Sequence, residues 1–260
     1  GRWALTLAHD VTPDPVASAP RDDHLIQLWQ LSPSPRMVSE HAYPGSVNVD
    51  LVLSADGRWA ATLAPGAPTR LWRLEDGAGG RLVEAGQLSG AYDSCQTIAF
   101  SPEGTHALTG SFGVLSLWEL AGDDAPELLA RVEGADTGTT STAAIVFAPD
   151  GAAALSAEYA EARLWTIAPG TSTPLTLAAR LVGHGGPVFA VAFSGDGRRA
   201  LTGGADGVVQ HWTLADGGAS PRATLEGHDH HVRTVAFGPQ SDWAVTGSTD
   251  GTTRTWMLGQ

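Results

Sequence analysis

The side chains best equipped for chemistry lie near the C-terminal end of the chain. His228-Asp229-His230-His231 packs three imidazoles and a carboxylate into four positions, the donor types a divalent metal favours. Adjacent side chains rarely converge on one ion, so no metal and no cofactor is expected there. Asp206 and Asp250 could form an acid pair, the arrangement that shares a proton in acid–base catalysis. Each, however, occupies the same place in its own copy of a repeated unit, so the two belong to different turns. No Ser/His/Asp order, zinc-protease helix, cysteine pair or phosphate-binding Gly-Lys motif occurs. All 15 basic residues are arginine, and without lysine neither a phosphate-loop lysine nor a Schiff base is possible. The expectation is a chain that is not an enzyme.

The elements that position these residues follow from an internal repeat. Six tryptophans, Trp29, Trp72, Trp118, Trp165, Trp212 and Trp256, end similar short runs such as Ile26-Gln27-Leu28-Trp29, at spacings of 43, 46, 47, 47 and 44 residues. Trp3, Trp59 and Trp243 share one earlier position in the unit. An apolar segment ending in a turn recurs as Ile98-Ala99-Phe100-Ser101-Pro102-Glu103-Gly104 and Val191-Ala192-Phe193-Ser194-Gly195-Asp196-Gly197. A second segment follows, as in Ala107-Leu108-Thr109 and Ala200-Leu201-Thr202, then the tryptophan segment, then a polar one such as Pro221–Glu226. Four strands in about 45 residues is the arithmetic of a propeller blade. The first strand is apolar on both faces and alternates with small residues, as packing between neighbouring blades demands. The fourth is polar enough to face water.

Composition bounds the rest. Of 260 residues, 42% are hydrophobic and 17% charged, which is globular rather than disordered, and 32 Gly with 16 Pro suit many tight turns. A net charge of −13 argues against nucleic acid as partner, because phosphate contacts need a basic stripe. No apolar run approaches the ~18 residues that span a bilayer, so no membrane partner is expected and the chain reads as cytoplasmic. The single cysteine, Cys95, allows no internal disulfide and reads as a buried thiol. Arginine without lysine, with abundant Ala, Gly and Pro, points to a GC-rich bacterial genome.

At Gly183-His184 and Gly227-His228, together with the Phe-Ser and Leu-Trp elements above, the chain resembles the WD-repeat family over essentially its whole length. The resemblance implies an all-β propeller of four-stranded antiparallel blades, six WD-type units here, in a ring usually of seven. It also implies a buried hydrogen-bond relay: His184, Thr202, Asp206 and Trp212 in the fifth unit, and His228, Thr246, Asp250 and Trp256 in the sixth. Earlier units depart from it. Gly90-Ala91 and Gly134-Ala135 replace Gly-His in the third and fourth, and no unit has Asp directly after its tryptophan.

The units run approximately 1–45, 46–90, 91–134, 135–183, 184–227 and 228–260 of a single propeller region. Gly1-Arg2-Trp3-Ala4 aligns with Gly57-Arg58-Trp59-Ala60 inside a second strand, and the last unit stops after its third. The expectation is therefore 22 strands where seven blades need 28, a region incomplete at both ends. Open edges predict self-association or completion of the ring by another chain.

The face of the disc that the family most often uses for binding would carry the loops with Tyr92 and Asp93, with Asp136, and with Asp229, His230 and His231. It would also carry an insertion from His9 to Asp22, including Asp10 and Asp14. The function expected is a protein- or peptide-binding scaffold or sensor within a larger bacterial signalling protein. The alternatives are a propeller enzyme with a small-molecule site in an axial channel, and an excised or engineered run of repeats.

Overall fold

The structure is a computed structural model that describes residues 3–10, 23–31, 34–44, 50–64, 67–75, 80–88, 95–120, 122, 124–133, 142–159 and 161–259. Among these are 22 strands in six antiparallel sheets. The first sheet is β1 (Trp3–Asp10), β2 (Asp23–Gln30) and β3 (Arg36–Pro44). The second is β4 (Asp50–Leu53), β5 (Trp59–Leu63), β6 (Thr69–Glu75) and β7 (Arg81–Leu88). The third is β8 (Thr97–Phe100), β9 (His106–Ser111), β10 (Val114–Glu119) and β11 (Glu127–Glu133). The fourth is β12 (Ala144–Phe147), β13 (Ala153–Ala157), β14 (Glu161–Ile167) and β15 (Leu175–Val182). The fifth is β16 (Val188–Phe193), β17 (Arg199–Gly204), β18 (Val209–Ala215) and β19 (Gly218–Leu225). The sixth is β20 (Val232–Phe237), β21 (Trp243–Ser248) and β22 (Thr253–Met257). Strands neighbour one another in chain order in every sheet.

The chain divides into two compact units, Gly1–Cys95 with Ala121–Pro126, and Gln96–Leu120 with Glu127–Gln260. The first two sheets belong to one and the other four to the second.

Local chemistry explains the strand ends. In Ser194-Gly195-Asp196-Gly197-Arg198 the serine hydroxyl donates to Asp196 (2.6 Å), which accepts the Arg198 amide (3.0 Å), and Gly197 supplies the positive φ of 70°. Ser54 and Asp56 build the same turn in the second sheet. Its counterpart in the sixth sheet puts Ser241 at φ 58°, where a glycine would sit without strain. Asp216-Gly217 joins β18 to β19 with both residues at positive φ, the geometry that suits a two-residue hairpin.

Packing follows the pattern of the strands. β5 is buried throughout and β10 nearly so, whereas β11 and β19 are mostly exposed. In the second unit the core lies between sheets: Leu155, Leu164 and Leu181 pack with Val188, Val191 and Trp212, and Ala190, Leu201 and Val209 pack with Val232 and Val235. Cys95 is buried, two residues before β8, as expected of an inert thiol.

One core position breaks the pattern. The residue before the tryptophan is a buried leucine in the first four sheets (Leu28, Leu71, Leu117, Leu164), but His211 in the fifth. It is 0% exposed, and neither ring nitrogen has a hydrogen-bond partner. Burial, with the charges of Arg222 and Arg199 nearby, lowers its pKa to about 4, so it is neutral at pH 7.

Candidate functional site

Every sheet ties its tryptophan strand to the second strand with one hydrogen bond. The indole N–H donates to the hydroxyl of the second strand: Trp29 to Thr6 (2.8 Å), Trp72 to Thr62 (3.1 Å), Trp118 to Thr109 (2.9 Å), Trp165 to Ser156 (2.9 Å), Trp212 to Thr202 (3.0 Å) and Trp256 to Thr246 (2.9 Å). A buried indole needs an acceptor, and the hydroxyl then has a proton of its own to place.

In the fifth and sixth sheets a histidine takes that proton. His184 Nε2 lies 2.8 Å from Thr202 Oγ1 and its Nδ1 lies 3.1 Å from the Asp206 carboxylate; His228 stands 2.8 Å from both Thr246 and Asp250. The indole only donates and the carboxylate only accepts, so the hydrogens run one way, from tryptophan through hydroxyl and imidazole to aspartate. Both aspartates also hold backbone. Asp206 accepts from Gly185 and Val208, and Asp250 from Asp229 and Thr252. Burial pushes the Asp206 carboxyl up, but these amides and His184 outweigh it and hold it below its ordinary value. The Thr252 hydroxyl, with His228 and the two amides, holds Asp250 well below the carboxylate range.

The fourth sheet closes the chain of bonds differently. Ser156 donates straight to Glu158 (3.1 Å). Arg163 bridges Glu158 (3.0 Å) and Glu161 (2.6 Å), and Arg180 caps Glu161 (2.7 Å). Glu158, Glu161 and Arg163 are all buried. Burial raises the Glu158 pKa against the pull of Arg163. For Glu161 burial acts upward too, but hydrogen bonds from Arg180 and Arg163 win and lower it. Sequence reasoning missed this cluster. Its signal was Glu161 and Arg163 two apart on one strand, hence on one face, with Arg180 opposite Arg163 in the ladder.

The exposed counterpart of this framework is a row of side chains at the entries to four first strands. Val188 pairs Gly204 and Ala190 pairs Gly203, so Phe189 is an extra residue in β16; Val232 pairs Ser248 and Thr234 pairs Gly247, so Arg233 is the extra residue in β20. Gln96 and Ala143 hold the same step before β8 and β12, each donating its amide to the carbonyl of the residue paired with its successor (2.8 and 2.9 Å). A Cβ on Gly110 or Gly203, opposite this position, would overlap Thr142 or Val232 of the next sheet, so these glycines let neighbouring first strands approach. β12 lies against β8, β16 against β12 and β20 against β16, which lines up Gln96, Ala143 and the two bulges in order. Gln96, Ala143 and Arg233 are exposed and Phe189 half-buried.

At one end of the row the side chains meet. The Arg233 guanidinium lies 3.8 Å from the centre of the Phe189 ring, and the His231 ring lies 5.5 Å from Phe189. The loop carrying Asp229, His230 and His231 is pinned: Ser248 donates to the His230 carbonyl (3.0 Å), Thr249 to that of His231 (3.0 Å), and Asp229 N–H to Asp250 (3.1 Å). Asp229 and His230 are exposed, and among the described residues no three His, Cys, Asp or Glu side chains gather as metal ligands.

The other loop candidates stand apart from this cluster. Asp10 is a strand residue, not a loop residue: β1 continues through His9, paired with His24, to Asp10, paired with Asp23, so the insertion starts later than its sequence suggests. Asp14, Asp22, Tyr92, Asp93 and Asp136 lie outside the described residues.

Comparison with known proteins bears on this architecture. The model of the WD domain, G-beta repeat, matches residues 175–213 and 219–256. No curated protein matches the chain. Crystal structures of Sqt1 from Chaetomium thermophilum are similar in fold. One has TM-score 0.77 at 16% identity, over 99% of this chain and 66% of that one. A second has TM-score 0.78 at 16% identity, with the same shares covered. A third, bound to the N-terminus of the ribosomal protein L10, has TM-score 0.77 at 17% identity, over 98% of this chain and 68% of that one. The chain thus spans about two thirds of the length of these proteins, and at such identity the likeness establishes the fold, that of a WD40 β-propeller.

Proposed function

We propose that this chain is a non-catalytic interaction module that binds a peptide segment of another protein along the row Gln96, Ala143, Phe189 and Arg233. The observation that carries this reading is the row itself. Four successive sheets each present one side chain at the entry to the first strand, two of them from a bulge, and bulges serve to re-aim a side chain out of the ladder. The sheets beneath are locked by the tryptophan–hydroxyl bonds and, in the last two, by the relay, so the row is presented by a rigid support. The WD-repeat matches and the peptide-bound Sqt1 structure support a protein partner. The net charge of −13 adds long-range attraction for a partner of positive overall charge. The finer reading is a cytoplasmic scaffold or sensor region of a larger bacterial signalling protein, supported by the arginine-only basic set and the fold.

The test is selection of random displayed peptides on the chain, followed by hydrogen exchange with a selected peptide bound. The reading expects protection at residues 95–97, 142–144, 186–190 and 229–234. No selected peptide, or protection confined to other strands, overturns it.

A further inference from the structure

We infer that Arg233, seated on Phe189, is the anchor for a carboxylate of the bound peptide. This rests on the interaction-module reading and adds the chemistry that the site selects.

Several arginines of this acidic chain are ion-paired within it. Arg58, Arg70, Arg73, Arg131, Arg163 and Arg180 each form an ion pair with an Asp or Glu of the chain itself. Arg233 makes none among the described residues, although 28 carboxylates were there to be used. Its side chain is exposed and its guanidinium carbon lies 3.8 Å over the centre of the Phe189 ring. Stacking uses the face and leaves the N–H edge outward, and that edge is the planar fork that a carboxylate matches with two parallel hydrogen bonds.

The placement is built into the fold. Phe189 and Arg233 occupy the same bulge position in adjacent sheets, so their meeting follows from the packing of β16 on β20 rather than from a loose surface side chain. His231 flanks the ring, and its loop is tied to Ser248, Thr249 and the relay carboxylate Asp250. A guanidinium held in this way gives up little rotamer freedom when a ligand arrives, which is how preorganisation raises affinity. A single arginine suits a monoanion. A phosphorylated side chain brings up to two negative charges, for which clusters of arginines are the usual receptors, and a surrounding net charge of −13 opposes it further.

The carboxylate could belong to an Asp or Glu side chain or to a peptide C-terminus. Two random-peptide libraries separate these sources, one with the peptide embedded in the display protein and one ending in a free C-terminus. With the native chain, peptides that protect residues 229–234 are expected to share an acidic residue at one fixed place, or to come only from the free-end library. For a synthetic selected peptide, Arg233→Gln is expected to weaken binding about 10- to 100-fold, the range for losing a charge-assisted pair. Arg233→Glu should reverse the selection toward basic residues, and Phe189→Leu should weaken binding about 3- to 10-fold by freeing the stacked guanidinium. Thermal midpoints of the Arg233 variants should stay within about 2 °C of the native value, since the side chain is exposed. Peptides that bind at this site without an acidic preference, or with one that survives Arg233→Gln, overturn the proposal and leave the interaction reading standing. Failure to select any peptide removes both.

Discussion

The fourth sheet and the fifth solve one problem in opposite ways. Both must satisfy a buried tryptophan N–H and the hydroxyl that receives it. The fifth links the hydroxyl through an imidazole to Asp206, at the margin of the fold, whose charge is shared with two backbone amides. The fourth links it directly to Glu158 and must then neutralise that buried charge with Arg163, and Arg163 in turn with Glu161. The relay keeps its one formal charge near the surface, whereas the ion cluster carries three inside. A buried ion pair compensates its own desolvation and little more, so the fourth sheet depends on every member being present.

The largest expected effect exploits that dependence. Arg163→Ala strands Glu158 and Glu161 in the core and should cost about 3–5 kcal/mol in urea unfolding. A cost near that of a surface arginine would mean that water reaches the cluster and that the contrast with the fifth sheet is weaker than drawn.

Next in size is a pH effect confined to the fifth sheet. His211 has a folded pKa of about 4 against an ordinary 6.5. A base whose folded pKa is depressed leaves stability untouched above pH 6.5. As pH falls from there toward 4, the unfolded chain takes up a proton that the folded one refuses, and stability is lost. The loss amounts to roughly 3 kcal/mol over that range. His211→Leu, which restores the residue used in the first four sheets, should abolish this slope and also add about 1–2 kcal/mol at pH 7 by removing two unpartnered nitrogens. Below pH 4 the lowered aspartates take over: Asp206 and Asp250 stabilise above their unfolded pKa and lose that contribution as pH drops through their folded values. Glu158 runs the other way, since its raised pKa makes the folded state easier to protonate, so its own contribution falls as pH rises past the ordinary value. Stability measured between pH 3 and 7 in His211→Leu and Glu158→Gln variants separates the three slopes.

The smallest difference compares a full relay with a bare hydroxyl. Thr202→Val orphans both Trp212 and His184, whereas Thr62→Val in the second sheet orphans only Trp72. The expected costs are about 2–4 and about 1–2 kcal/mol. Equal values would show that the imidazole adds nothing to the hydroxyl–indole bond.

Much of this was legible in the sequence. The tryptophan period determines the strands, because a hydrophobic pattern with turn residues at fixed offsets has few other ways to bury itself. The hydroxyl–indole pairs are legible too: they join neighbouring strands at an offset of 9 or 10 residues in five sheets, and of 23 in the first. The charge cluster was not, because the sheet that has it lacks the Gly-His pattern and shows only scattered Glu and Arg. The start of the long insertion was misplaced because His9 and Asp10 look like loop residues, yet backbone pairing with His24 and Asp23 carries the strand through them.

Sequence by itself determined the repeat, the strand order and the partners within each hairpin, since these rest on local pattern and short separations. Tertiary structure alone decided what crosses between sheets. Phe189 and Arg233 are 44 residues apart and unremarkable in their own strands. They meet because equivalent bulges in adjacent sheets point toward each other, and because Gly203 leaves room for β20 to come close. Which side chains face one another across a packing interface depends on register and approach distance, and neither is written in any single strand.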